Sequence, residues 1–193
     1  MRLFDIAFEE LIGIEGGYSD DPDDRGGETY KGISRNNWAG WAGWDIIDLA
    51  KEKESDFPKC LDENTALRIL TKAFYEQEFW NKIKLNEIEQ LDKLIALELF
   101  DTSVNQGTKT AAIYLQESLN LLNRNQKDYK DIRVDGSIGN ITLTVLKANK
   151  RKYNILKCLN GLQFDKYYRL AKSNPVQEKY FNGWLNRVWE DHV

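Results

Sequence analysis

The sequence predicts a mainly α-helical protein, and three observations support that fold class. Apolar residues recur at helical spacing in most segments of the 193-residue chain. Glycine, aspartate and proline are concentrated in one stretch, so we expect at most a small β-hairpin near residues 18–33. Neither a fixed-period repeat nor a low-complexity linker interrupts the chain.

The first helix is predicted from an apolar stripe at Phe4, Ala7, Phe8, Leu11 and Ile12. Glu15 continues this stripe, and the pair Gly16-Gly17 ends the helix directly after it. Burial and the negative end of the helix dipole both disfavour an ionised carboxylate, so we expect the pKa of Glu15 to lie above its ordinary value of about 4.3. A carboxyl group of this kind suits a general acid near neutral pH.

The stretch after Gly17 is rich in turn-forming residues, and a short strand is predicted at Thr29–Ile33. A short helix, Asp45–Lys53, is expected next. It follows three tryptophans at every third position, namely Trp38, Trp41 and Trp44. Aromatic residues at this spacing are typical of a core, although one of them can instead form a saccharide platform.

The rest of the chain is predicted as a series of amphipathic helices. Asp62 is the expected N-cap of a helix that extends to Trp80. Residues 123–134 are polar and loop-like, and the turn Asp135-Gly136 follows them. The other helices are expected at about 88–104, 108–122, 137–149 and 153–172, with a last one after Pro175.

Composition excludes several classes of function. With 27 Lys and Arg against 31 Asp and Glu, the net charge of -4 gives no general electrostatic basis for binding nucleic acid. His192 is the only histidine, and Cys60 and Cys158 lack motif spacing. Zinc sites, histidine triads and Cys-His nucleophiles are therefore excluded as serious interpretations. Any hydrolytic chemistry must come from carboxylates.

The acidic loop also suggests a calcium site, because Asp21, Asp23 and Gly26 match the start of an EF-hand loop. The match fails further on. Arg25 stands at the fifth position, and Gly32 stands at the twelfth, where a bidentate glutamate is needed.

The N-terminal residues contain early acids and lack the apolar core of a signal peptide. No run approaches the roughly 18 apolar residues of a membrane span. We therefore expect synthesis in the cytoplasm without a signal peptide, and no insertion into a membrane.

The stretch from Glu15 to Ile33 resembles the motif of glycoside hydrolase family 108, the bacterial and phage N-acetylmuramidases. It contains Glu-Gly-Gly-Tyr at 15–18, Asp-Pro-x-Asp at 21–24, Gly-Gly-x-Thr at 26–29 and Gly-Ile at 32–33. Further similar segments are Phe74-Tyr75, Phe79-Trp80, Phe100-Asp101, Asn105-Gln106-Gly107, Leu115-Gln116, Asp135-Gly136 and Gly183-Trp184. Arg25 departs from the pattern, where proline or a small residue is expected.

The resemblance implies a lysozyme-like helical fold. It places a catalytic region at residues 1–100 and a peptidoglycan-binding-like region at residues 101–193, packed together as one compact monomer. The implied partner is the glycan strand of peptidoglycan, and no nucleic acid is involved. The protein would then act as an endolysin in the periplasm or cell wall, after release through a holin-type pore or by another route.

The same resemblance makes Glu15 the proton donor. Asp24 is assigned as the second carboxylate, with Asp23 as its rival, and Thr29 as its hydroxyl helper. The separation of the two carboxyl groups decides between retention (about 5 Å) and inversion (about 6.5–9.5 Å). Sequence spacing does not give this distance, so both mechanisms remain open.

Four further residues are candidates for substrate binding. Tyr18 is expected to stack on a sugar ring or, equally, to act as a structural plug. Asp101 and Asn105 lie one helical turn apart and are expected, with Gln106, to line a cleft. A hydrogen-bonded pair near the end of a helix is the alternative for Asp101 and Asn105.

The predicted activity is hydrolysis of the β-1,4 bond between N-acetylmuramic acid and N-acetylglucosamine, with no metal or organic cofactor implied. A lytic transglycosylase is the nearest enzymatic alternative. A wall-binding or secretion-associated factor without catalytic activity is the alternative from a different class.

Overall fold

The computed structural model describes residues 1–14, 16–20 and 27–188. The chain forms two compact units, Met1–Glu78 and residues 79 onward. The described part contains nine α-helices and one small sheet. The predicted mainly helical, lysozyme-like fold class is confirmed.

The first unit begins with α1, Leu3–Ile14. The predicted apolar stripe is buried, since Phe4, Phe8 and Leu11 are each at most 5% exposed. Phe8 also contacts Tyr75, with ring centroids 6.0 Å apart. The helical period of the sequence therefore identified the inward face of α1 correctly.

A three-stranded antiparallel sheet follows, formed by β1 (Tyr18–Ser19), β2 (Thr29–Tyr30) and β3 (Ile33–Ser34). The prediction of one strand across residues 29–33 is wrong because the chain reverses at Lys31 and Gly32. These two residues have positive φ angles of 43° and 77°, as a two-residue type I′ hairpin turn requires. Glycine adopts such an angle without strain, which suits Gly32 to the turn.

The other helices of this unit are α2, Gly43–Lys53, and α3, Thr65–Tyr75. The N-cap of α3 is Asn64, not Asp62, because the Asn64 side chain accepts a hydrogen bond of 2.9 Å from the amide of Leu67. The predicted extension of this helix to Trp80 is also wrong in part, since a π-helical segment, Glu76–Asn81, replaces its last turns.

The second unit consists of six helices in its described part: α4 (Leu85–Glu89), α5 (Lys93–Gln106), α6 (Thr108–Leu121), α7 (Asn140–Ala148), α8 (Lys152–Ser173) and α9 (Glu178–Leu185). The helix expected at 88–104 is two helices. Asp92 separates them, because its side chain caps α5 by accepting a 3.0 Å hydrogen bond from the amide of Ile95. Helices α5, α6 and α8 pack on one another around Leu99, Leu115 and Leu159, which are fully buried.

No helix of the described residues combines the length and the apolar character needed to cross a bilayer.

Candidate active site

Thr29 lies in the central strand of the sheet. Its neighbours in register are Ser19 of β1 and Ser34 of β3. The Thr29 hydroxyl donates a hydrogen bond of 3.1 Å to the carbonyl oxygen of Gly27. This bond fixes the Thr29 rotamer and leaves the hydroxyl oxygen available as an acceptor.

The predicted proton donor Glu15 and the predicted second carboxylate Asp24, with its rival Asp23, lie outside the described residues. So does most of the acidic loop considered as a calcium site. Among the described residues, no group of three His, Cys, Asp or Glu side chains is arranged to hold a metal ion.

Tyr18 lies in β1 and is half-buried. Its ring packs edge-to-face on Phe57, with centroids 4.8 Å apart, and the ammonium group of Lys51 lies 5.1 Å from its centroid. Burial, together with the carboxylate of Glu28, raises the pKa of Tyr18 to about 12, so its hydroxyl remains a proton donor at neutral pH. These contacts fit the interpretation of Tyr18 as a plug, and stacking on a sugar stays a prediction.

Glu28 is the functional candidate that sequence reasoning missed. Its side chain is only 10% exposed, and it accepts hydrogen bonds from Tyr18 at 2.8 Å, Arg35 at 2.6 Å and Lys51 at 2.9 Å. Burial alone would raise the pKa of Glu28, but these three bonds lower it overall. Glu28 is therefore an ionised carboxylate that accepts hydrogen bonds from three side chains, and it lies directly before Thr29.

Arg35 and Lys51 each bind a second carboxylate, which extends the contacts of Glu28 into a charge network. Arg35 also pairs with Asp48 of α2 at 2.5 Å, and Lys51 pairs with Asp20 at 3.3 Å. The only signal in the sequence is the position of Glu28 inside Gly-Gly-Glu-Thr. The network therefore ties β1, the start of β2, the end of β3 and α2 into one rigid corner.

The other three candidates lie at the end of α5, in the second unit. The Asn105 amide donates to the Asp101 carboxylate at 3.1 Å, which is the hydrogen-bonded pair considered from the sequence. Asp101 also accepts bonds from Gln163 of α8 at 2.7 Å and from Arg187 at 2.9 Å.

Gln106 is half-buried beside this group. Its amide accepts a bond of 3.1 Å from the Tyr114 hydroxyl and contacts the carbonyl of Gln163 at 3.5 Å. The structure thus brings Asp101, Asn105 and Gln106 together. Tyr18 and Thr29 lie in neighbouring strands, but Tyr18 is in register with Tyr30 and Thr29 with Ser19, so their side chains lie on opposite faces of the sheet. Asn105 is the most solvent-exposed of the three α5 residues.

A family model described as Glycosyl hydrolase 108 matches residues 8–107, more than half of the chain. The chain belongs to the glycosyl hydrolase 108 family. A second model, described as Predicted Peptidoglycan domain, matches residues 110–189. This glycosyl hydrolase 108 protein is therefore a peptidoglycan hydrolase, a glycosidase whose partner is peptidoglycan.

Comparison with known structures supports the fold of this family member. SagA of Brucella abortus is similar over 98% of each chain, with a TM-score of 0.54 and 19% sequence identity. At that identity the likeness concerns the fold alone. No curated protein matches the chain.

Proposed function

We propose that this protein is an N-acetylmuramidase that cleaves the β-1,4 bond between N-acetylmuramic acid and N-acetylglucosamine, with Glu15 as the general acid. One observation carries the proposal. The buried stripe of α1 runs through Phe8 and Leu11, and Glu15 occupies the next position of that stripe in the sequence. The strand that carries Thr29 lies in the same unit.

The role proposed for each residue follows from what glycoside hydrolysis requires. A protonated carboxyl group must supply a proton to the leaving glycosidic oxygen, which is the role of Glu15. A second carboxylate, Asp24 or its rival Asp23, positions water or stabilises the cationic sugar. The hydroxyl proton of Thr29 is already donated to Gly27, so its oxygen is suited to accept a hydrogen bond from the attacking water.

The test is digestion of purified peptidoglycan, followed by borohydride reduction and mass analysis of the new ends. Wild-type protein should give reduced muramic acid ends. Glu15→Gln should lower the rate by about 10²–10⁴-fold, since general acid catalysis contributes that factor. Glu10→Gln is the matched control, because Glu10 is exposed on α1, and it should retain the wild-type rate.

Asparagine variants separate the two aspartates. Asp24→Asn should reduce turnover much more than Asp23→Asn if the assignment is correct, and the reverse order would make Asp23 the second carboxylate. Thr29→Val keeps the shape of the side chain and removes its hydroxyl, so it should lower kcat with a smaller effect on KM.

Three results would overturn the proposal in whole or in part. Anhydro-muramyl ends would identify a lytic transglycosylase. Binding of peptidoglycan without any bond cleavage would identify a wall-binding or secretion-associated factor. Equal rates for wild type and Glu15→Gln would remove Glu15 from the catalytic role.

A further inference from the structure

The first unit contains an open cleft of about 450 Å³ that is lined by two of the three clustered tryptophans and by none of the residues assigned to catalysis. One side is the turn after β3, and the other is the last part of α3 with the residues directly after it. Its principal lining residues are Asn37, Trp38, Trp41, Phe74, Gln77 and Glu78. The volume lies within the range of about 300–1,000 Å³ found for ligand sites.

Two of the three clustered tryptophans form the aromatic wall of this cleft. Trp44 is a core residue at 2% exposure, whereas Trp38 and Trp41 are half-exposed. The Trp38 ring stands edge-to-face on Phe74, with centroids 4.9 Å apart. Trp41 stacks on Tyr30 of β2 at 6.2 Å. The core interpretation thus holds for Trp44, while the other two present indole surface to the cleft.

Contacts on the side away from the cleft fix the orientation of the Trp38 and Trp41 rings. The Trp44 indole donates a 2.9 Å hydrogen bond to the carbonyl of Trp38, which holds the turn in place. Gly43 lets the Trp41 ring lie flat against the start of α2, because a Cβ there would approach the ring to 2.2 Å. An aromatic surface that is held rigid loses little conformational entropy when a ligand binds.

Two amide side chains and the Glu78 carboxylate supply the polar part of the cleft. Asn37 and Gln77 are both exposed and line it from opposite sides, and the Asn37 amide nitrogen also donates a 3.2 Å hydrogen bond to the Ser34 hydroxyl. An amide group donates and accepts hydrogen bonds at once, which matches the acetamido group of an N-acetylated sugar. The C–H face of a pyranose ring is apolar and packs on an indole, so the two kinds of wall together fit one saccharide unit.

We propose that this cleft is a saccharide subsite that binds an N-acetylated sugar of the glycan strand and that contains none of the residues assigned to catalysis. The inference rests on the proposed function for the identity of the glycan. The Trp41–Tyr30 stack connects the cleft to the strand that carries Thr29. Binding energy gained at such a subsite can be used to orient the reacting sugars.

The test measures binding by titration calorimetry, with glycan strands freed of their peptide stems as the probe. All variants carry Glu15→Gln so that the strand stays intact, and all retain the same second unit as a constant background. Trp38→Ala removes the aromatic wall. Ala73→Arg fills the cleft from an exposed position of α3 without removing any core contact. Ile69→Ala is the control, since Ile69 is 63% exposed on α3 and does not line the cleft.

Trp38→Ala and Ala73→Arg should each weaken binding about three- to tenfold, and Trp38→Phe should recover part of the loss. Thermal unfolding checks that each variant is folded. Unchanged affinity in a folded Ala73→Arg variant would overturn the subsite. A loss of affinity confined to strands that keep their peptide stems would also overturn it, because the occupant would then be a peptide.

The two proposals fail separately. Wild-type hydrolysis with unchanged binding in both cleft variants would remove the subsite and leave the muramidase in place. Binding that depends on Trp38, together with no hydrolysis by the protein that retains Glu15, would support the subsite and remove the muramidase.

Discussion

The hydroxyl of Tyr18 donates a 2.8 Å hydrogen bond to the carboxylate of Glu28, and this contact joins β1 to the residue that precedes β2. The same carboxylate binds Arg35 and Lys51. A nearly buried anion with three donors is satisfied only when all of them are in place. The position of Thr29, the next residue, therefore depends on Glu28.

Glu28→Gln should lower the free energy of unfolding by about 1–3 kcal/mol, because it removes charge-assisted bonds from a side chain that is 10% exposed. Urea unfolding at pH 7, followed by tryptophan fluorescence, measures this change. Glu9→Gln is the control, since the Glu9–Arg68 pair is exposed at 49% and 66%. It should cost about 0–1 kcal/mol. Equal effects of the two variants would show that the hydrogen bonds of Glu28 stabilise the fold no more than an exposed ion pair does.

The effect of Glu28→Gln should depend on pH. The folded pKa of Glu28 is lowered relative to its unfolded value of about 4.3. Its contribution to stability is therefore fully present above the unfolded pKa and is lost as the pH falls through the folded pKa. The difference in unfolding free energy between wild type and variant should be constant near neutrality and shrink below about pH 4. A difference that grows on acidification would contradict the lowered pKa.

The sequence predicted the structure correctly where apolar periodicity or one local signal determines a helix. The buried face of α1 follows from the spacing of Phe4, Phe8 and Leu11, and α2 begins two residues before the predicted start at Asp45 and ends at Lys53 as predicted. Cap positions were harder. Asp62 and Asn64 are both good N-cap types, and the choice depends on where the turn through Leu61 packs.

The charge network could not be predicted because no periodicity links its members. The sheet and α2 bring Glu28, Arg35 and Lys51 together from separate parts of the chain. The turn at Lys31 was missed for a related reason. Lysine rarely adopts a positive φ angle, so its presence gives no turn signal, and only the following Gly32 indicates one.

Asp101 and Asn105 should respond differently to substitution, although both are predicted to bind substrate. Asp101→Asn removes the charged acceptor of the 2.9 Å ion pair with Arg187, whose side chain is only 12% exposed, and should cost about 1–3 kcal/mol in unfolding free energy. Asn105 is exposed, and Asn105→Ala should change stability by about 0.5 kcal/mol at most.

Asn105→Ala therefore isolates the substrate-binding prediction. If Asn105 contacts the glycan, the variant should raise KM for peptidoglycan while its unfolding free energy stays near that of wild type. An unchanged KM would leave Asn105 as a partner of Asp101 alone. Asp101→Asn is unsuitable for this purpose, because its expected loss of stability would confound a change in KM.

Gly43→Ala tests whether the start of α2 sets the position of Trp41. A Cβ at Gly43 would lie 2.2 Å from the Trp41 ring, which Tyr30 and Trp44 contact on its other sides, so the ring must move. We expect the free energy of unfolding to fall by about 1–3 kcal/mol because of this overpacking, and glycan binding to become weaker.

A compatible Gly→Ala change normally stabilises by about 0.4–1 kcal/mol. Gly40→Ala is therefore the control, because a Cβ there meets no atom within 4 Å. Urea unfolding measures both variants. Equal free energies of unfolding would show that the Trp41 ring moves without a loss of stability.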